Sequence, residues 1–97
     1  MKASMTAASG SALLTNKIGL HARPSVKLTQ LAKQFAADLE VATNDKGPWF
    51  DAKSPVKMMR LKASRGETLH FRAQGEDAHL AVTQLIDLVN RKFGEAH

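Results

Sequence analysis

At 97 residues, 43% of them hydrophobic, the chain has material for one hydrophobic core and too little for two. It has no cysteine, which excludes disulfides, thiolate chemistry and cysteine-based metal sites, and fits a reducing, cytoplasmic setting. A formal charge of +5 points to an acidic partner. The basic residues are spread thinly from Lys27 to Arg91, and only one Trp and four Phe are available for base stacking, which argues against nucleic acid.

Residues 1–10, MKASMTAASG, contain no apolar stretch of signal-peptide length, and nothing later approaches the roughly 20 apolar residues of a membrane span. They read as a flexible extension leading into a single domain over residues 11–97, with no direct membrane insertion. Ser11 to Thr15 (SALLT) predicts a short strand, broken by the turn-forming Asn16-Lys17-Ile18-Gly19. From Ala22 to Ala37, Leu28, Leu31, Ala32 and Phe35 recur at helical spacing, with Lys27, Gln30, Lys33 and Gln34 on the other side. An amphipathic helix is expected there, with Pro24 in its first turn.

Asp38 to Ala42 alternates with period two, and after Asn44-Asp45-Lys46-Gly47-Pro48 the run Trp49 to Ala52 completes a hairpin. Ser54-Pro55 has the form of an N-cap followed by a first-position proline, opening a short helix through Val56, Met58, Met59 and Leu61. Leu69, Phe71 and Ala73 alternate with Thr68, His70 and Arg72 in a further strand, and Gly75 to Phe93 is a long amphipathic helix using Ala78, Ala81, Val82, Leu85, Val89 and Phe93. The order β-α-β-β-α-β-α, with strictly alternating strands, predicts an α+β, open-faced β-sandwich: a four-stranded antiparallel sheet with three helices on one face.

Chemistry concentrates at Gly19–Pro24, GLHARP. His21 stands just before a helix, whose first turn presents unpaired N–H groups and a partial positive charge. A phosphoryl group on the ring could accept bonds from the backbone of Ala22 and Arg23, while the Arg23 side chain adds a planar, permanently charged donor. The spacing points to a phosphohistidine. Neither His70 nor His79 shares a metal-ligand spacing with His21, so neither a metal nor a bound cofactor is expected. Trp49 reads as a hairpin residue. Three apolar side chains on a helix of two turns cannot all point inward, so Val56 and Met59, with Lys27, are assigned to partner docking.

NKIGLHARPSVKLTQLAK, followed by DAKSPVKMMRL and a final amphipathic helix, resembles the HPr family of phosphocarriers from the bacterial phosphotransferase system, over residues 11–93. The resemblance implies a sheet built of two interleaved βαβ units. It also implies phosphorylation of His21 at Nδ1 by phosphorylated enzyme I, assistance from Arg23, and transfer to a histidine of an enzyme IIA component. By the same resemblance Ser54 falls at the family's regulatory serine, the target of a serine kinase/phosphorylase. Asn16 to Gly19 is similar to the nitrogen-regulatory branch and Lys53-Ser54 to sugar-branch carriers, so both branches stay open. The expected protein is a cytoplasmic monomer, a covalent intermediate in a phosphotransferase chain rather than an enzyme. Two alternatives remain: a regulatory binding protein whose docking depends on phosphorylation state, and, less favoured, a nucleic-acid-binding domain.

Overall fold

The structure, a computed structural model, describes residues 6–95. Its elements are β1 (Ala7–Leu13), α1 (Ala22–Ala32), β2 (Asp38–Ala42), β3 (Phe50–Asp51), α2 (Pro55–Arg60), β4 (Thr68–Gln74) and α3 (Ala78–Asn90), closed by a 3-10 turn over Lys92–Gly94. The strands form one four-stranded sheet in the order β1-β4-β2-β3, and every pairing is antiparallel. β1 and β2 therefore run parallel with β4 between them, and β3 and β4 run parallel with β2 between them. This is the interleaved pair of βαβ units, an open-faced α+β sandwich.

Register separates the two faces. Ser9, Arg72 and Glu40 lie side by side across β1, β4 and β2, as do Gly10, Phe71 and Val41. The first row is open to solvent, with Arg72 Nε donating to Glu40 Oε1 at 2.7 Å and its guanidinium 4.2 Å from the Trp49 ring centroid. In the second row Phe71 and Val41 are buried, joining Leu39, Leu69, Leu28, Met58, Leu85 and Val89 in the core. Removing an apolar side chain of this size from water is worth about 1.5–3 kcal/mol.

β1 begins at Ala7, so residues 7–10 belong to the sheet and not to the extension predicted for residues 1–10; residues 1–5 lie outside the described residues. The hydrophobic pattern misses this part of the strand because its inward side chains must be small. A Cβ on Gly10 would stand 2.6 Å from Ile86 Cδ1 and 3.3 Å from Val82 Cγ1, so α3 rests almost directly on the strand backbone.

α1 ends at Ala32 rather than Ala37. Its last turn tightens, with the Gln34 and Phe35 amides donating to the carbonyls three residues back, Leu31 and Ala32. The next two amides, Ala36 and Ala37, donate to the carboxylate of Asp77 at 2.9 and 2.8 Å. These donors, Ala36 foremost, hold the Asp77 carboxyl below its ordinary pKa of 3.8, against the opposing effect of desolvation. Asp77 is the N-cap residue of α3 and makes no side-chain cap bond there, because its carboxylate faces the α1–β2 connection. The second long helix accordingly starts at Ala78, not Gly75, and ends at Asn90. Beyond it Lys92, Phe93 and Gly94 all take positive φ, a conformation that costs a non-glycine residue roughly 1–2 kcal/mol. The reversal swings Phe93 into the core, where it is 1% exposed, and that burial offsets the strain.

Candidate functional site

His21 is the N-cap residue of α1 (φ −116°, ψ −161°), and its side chain makes no cap bond. In this first turn the Ser25 amide is taken by the His21 carbonyl at 2.9 Å, and Pro24 has no N–H. Ala22 and Arg23 are thus left as the helix-start amides without an intrahelical partner. No acidic residue occupies the turn, so no carboxylate competes for its positive end. His21, Ala22, Arg23, Val26, Lys27 and Gln30 line one shallow depression.

The loop that delivers His21 is stapled to a second loop, the one between α2 and β4. Leu14 and Leu20 donate to the Glu67 and Ala63 carbonyls, both at 2.9 Å, and Gly66 donates to the Leu14 carbonyl at 2.8 Å. Asn16 is fully buried, and its Nδ2 closes the turn by donating to the Gly19 carbonyl at 2.8 Å. Gly19 has φ +76°, and a Cβ there would lie 2.6 Å from the Ala63 carbonyl oxygen. The residue two before His21 must therefore be glycine for both conformational and steric reasons. Leu20 and Pro24 are buried on either side of His21, which fixes the backbone of the site while the ring stays half-exposed.

Arg23 extends into solvent with 74% of its side chain exposed, 4.0 Å from the Glu95 carboxylate. The Glu95 side chain is only 14% exposed, but at 4.0 Å the contact is at the outer edge of an ion pair and the Arg23 guanidinium stands in solvent, which screens it. Charge-assisted bonds to a phosphoryl group are worth about 1.5–3 kcal/mol, so Glu95 does not prevent the guanidinium from turning to such a group. Lys27 lines the same depression as His21, and its ammonium donates to the Phe93 carbonyl at 2.7 Å, tying α1 to the chain reversal after α3.

Ser54 caps α2, its Oγ accepting from the Lys57 amide at 3.3 Å. α2 packs on α1 and buries Met58 completely, leaving Val56 56% and Met59 39% exposed. His70 lies on the open sheet face and His79 on the exposed side of α3. Among the described residues no three His, Cys, Asp or Glu side chains gather as a metal-binding group, and no helix is long and apolar enough to cross a membrane.

The sequence pattern did not reveal Asn16, Ala63, Glu95 or the buried hydroxyls of Ser25 and Thr29. The last two carried a signal: polar residues at four-residue intervals from His21, on a helix face otherwise apolar.

Comparison with known proteins supplies the remaining ground. The family model described as the PTS HPr component phosphorylation site matches residues 8–91. The phosphocarrier protein HPr of Cupriavidus necator is 42% identical over 82 residues, 84% of this chain and 90% of that protein. HPr of Xylella fastidiosa is 40% identical over 83 residues, 86% and 91% respectively. The phosphocarrier protein NPr of Escherichia coli is 34% identical over 82 residues, 84% and 90%. A crystal structure of HPr from Thermoanaerobacter tengcongensis superposes with a TM-score of 0.84 at 34% identity, covering 93% of this chain and 99% of that one. With the fold shared and the family match running through the helix start at His21, the chain belongs to the HPr family of phosphocarriers of the bacterial phosphotransferase system.

Proposed function

We propose that this protein accepts a phosphoryl group on Nδ1 of His21 from phosphorylated enzyme I and passes it to a histidine of an enzyme IIA component, in sugar uptake or its nitrogen-regulatory counterpart. The observation that carries the reading is the α1 cap: a histidine without a side-chain cap bond, placed over two helix-start amides and beside an exposed guanidinium. His21 Nε2 is buried, which closes that nitrogen to a bulky electrophile and favours attack through Nδ1.

In the forward step the Nδ1 lone pair forms a bond to phosphorus as the phosphorus–nitrogen bond of the donor phosphohistidine breaks, its electron pair returning to the donor ring. The Ala22 and Arg23 amides and the Arg23 guanidinium hold the oxygens while charge redistributes. The second transfer is the same exchange with this protein as donor. It needs positioning rather than acid–base groups, and no metal or cofactor takes part. The protein works as a cytoplasmic monomer, with the exposed Val56 and Met59 meeting both partners in turn and Ser54 as a regulatory phosphorylation site beside them.

The deciding experiment uses labelled phosphoenolpyruvate and enzyme I. The wild-type chain is expected to take one acid-labile, base-stable label, and His21→Ala to take none; undiminished labelling of His21→Ala would refute the reading. Arg23→Lys keeps the charge but loses the planar fork, so single-turnover transfer is expected to slow on the order of tenfold to a hundredfold. Wild-type rates in both directions would leave Arg23 a solvated surface residue.

A further inference from the structure

Among the described residues, the buried side-chain polar atoms without a hydrogen-bond partner are Asn16 Oδ1, His21 Nε2, Ser25 Oγ and Thr29 Oγ1. Buried polar atoms are nearly always paired, so unpaired ones confined to one helix and the loop before it require an explanation. His21, Ser25 and Thr29 are spaced by four residues and share one stripe of α1. The stripe faces inward, with Ser25 fully buried and Thr29 2% exposed.

Ser25 stands one turn above His21, its amide bonded to the His21 carbonyl at 2.9 Å. Helical Cα–Cβ bonds tilt toward the N-terminus, so the Ser25 hydroxyl is directed back at the turn that carries the imidazole. For Nδ1 to attack, the neutral ring must keep its proton on Nε2. As the Nδ1–phosphorus bond forms and the donor's phosphorus–nitrogen bond breaks, that proton stays in place and the ring takes up positive charge. An acceptor at Nε2 thus selects the reactive tautomer in the ground state and helps more in the transition state.

Building on the relay proposed above, we infer that Ser25 is a positioning residue whose hydroxyl accepts the Nε2 proton of His21 and so keeps Nδ1 free to attack. Its own proton goes to the His21 carbonyl, the acceptor four residues back that is open to a helical serine. The structure leaves both atoms unpaired, and rotation of Ser25 about χ1 closes the contact in the ground state, before the phosphoryl group arrives.

Nitrogen-15 NMR of the full chain reads the His21 tautomer directly. Wild type is expected almost wholly in the Nε2–H form and Ser25→Ala as a mixture. Single-turnover phosphorylation of Ser25→Ala by phosphorylated enzyme I should slow about fivefold, the factor of one net hydrogen bond. Thr29→Val, which removes the hydroxyl one turn further from the ring, should leave spectrum and rate unchanged. An unaltered tautomer in Ser25→Ala overturns the positioning role whether or not the rate falls, since a slower rate alone reports packing. A wild-type chain that takes no label at His21 overturns the relay itself.

Discussion

α1 and α2 both carry a proline in their first turn, yet their starts are finished in opposite ways. At α2 the Ser54 hydroxyl turns back onto the Lys57 amide, the ordinary solution in which a helix satisfies its own orphan donor. At α1 the cap residue is His21, which makes no such bond, while Pro24 removes one N–H and the amides of Ala22 and Arg23 remain for something else. A third start differs again: Asp77 at α3 sends its carboxylate to the Ala36 and Ala37 amides of another segment. A cap used locally stabilises its helix. A cap used across the chain fixes a connection, and an unused one leaves the helix field to a visiting anion.

The sharpest way to break this contrast is to give α1 the cap that α2 has. His21→Ser is expected to abolish phosphoryl uptake while raising stability by about 1 kcal/mol, the usual worth of a hydroxyl cap. Labelling and denaturant unfolding of the same preparation test both halves; a less stable variant would mean that the imidazole already supports the helix start.

Asp77→Asn comes next, because it weakens two bonds to an ionised group rather than one to a neutral hydroxyl. The folded carboxyl is depressed below 3.8, chiefly by the Ala36 amide, so its contribution is fully present above that value and fades as pH falls through the folded pKa. The variant should therefore unfold at lower denaturant than wild type at pH 7, and the gap should close as pH falls through the folded pKa. A gap of constant size would assign the loss to packing instead of charge.

The smallest effects belong to Ser54. Ser54→Ala should cost about 0.5–1 kcal/mol, the low end of the capping range, because its bond is long at 3.3 Å. Ser54→Asp keeps an acceptor at the cap and a favourable charge on the helix start, so stability should hold. Its binding to enzyme I should weaken about threefold at low salt and recover at high salt, as expected for one exposed charge. Equal affinity at both salt concentrations would leave Ser54 as a cap alone.

Strand and helix order, the Ser54 cap and the GLHARP signal were legible along the chain because each is written in local periodicity, in turn residues or in a cap-plus-proline pattern. Counting how many apolar residues a two-turn helix can hide shows that not all of Val56, Met58 and Met59 are buried; the packing on α1 decides that Met58 is the one. Three further features depended on contacts between segments remote in sequence. The start of β1 at Ala7 is not legible along the chain because α3 demands small residues there, and small residues carry no hydrophobic signal. The early end of α1 follows from the capture of its trailing amides by Asp77, 40 residues and more further on. Lys27 reaches the Phe93 carbonyl, and Arg23 the Glu95 carboxylate, only because Phe93, in its left-handed turn, brings residues 93–95 back across α1. Local sequence thus determined where a histidine meets a helix start whose amides have no side-chain cap. Tertiary packing decided how rigidly His21 is presented and which of its ring nitrogens is buried, because both depend on the backbone bonds from the α2–β4 loop and on the inward-facing stripe of α1.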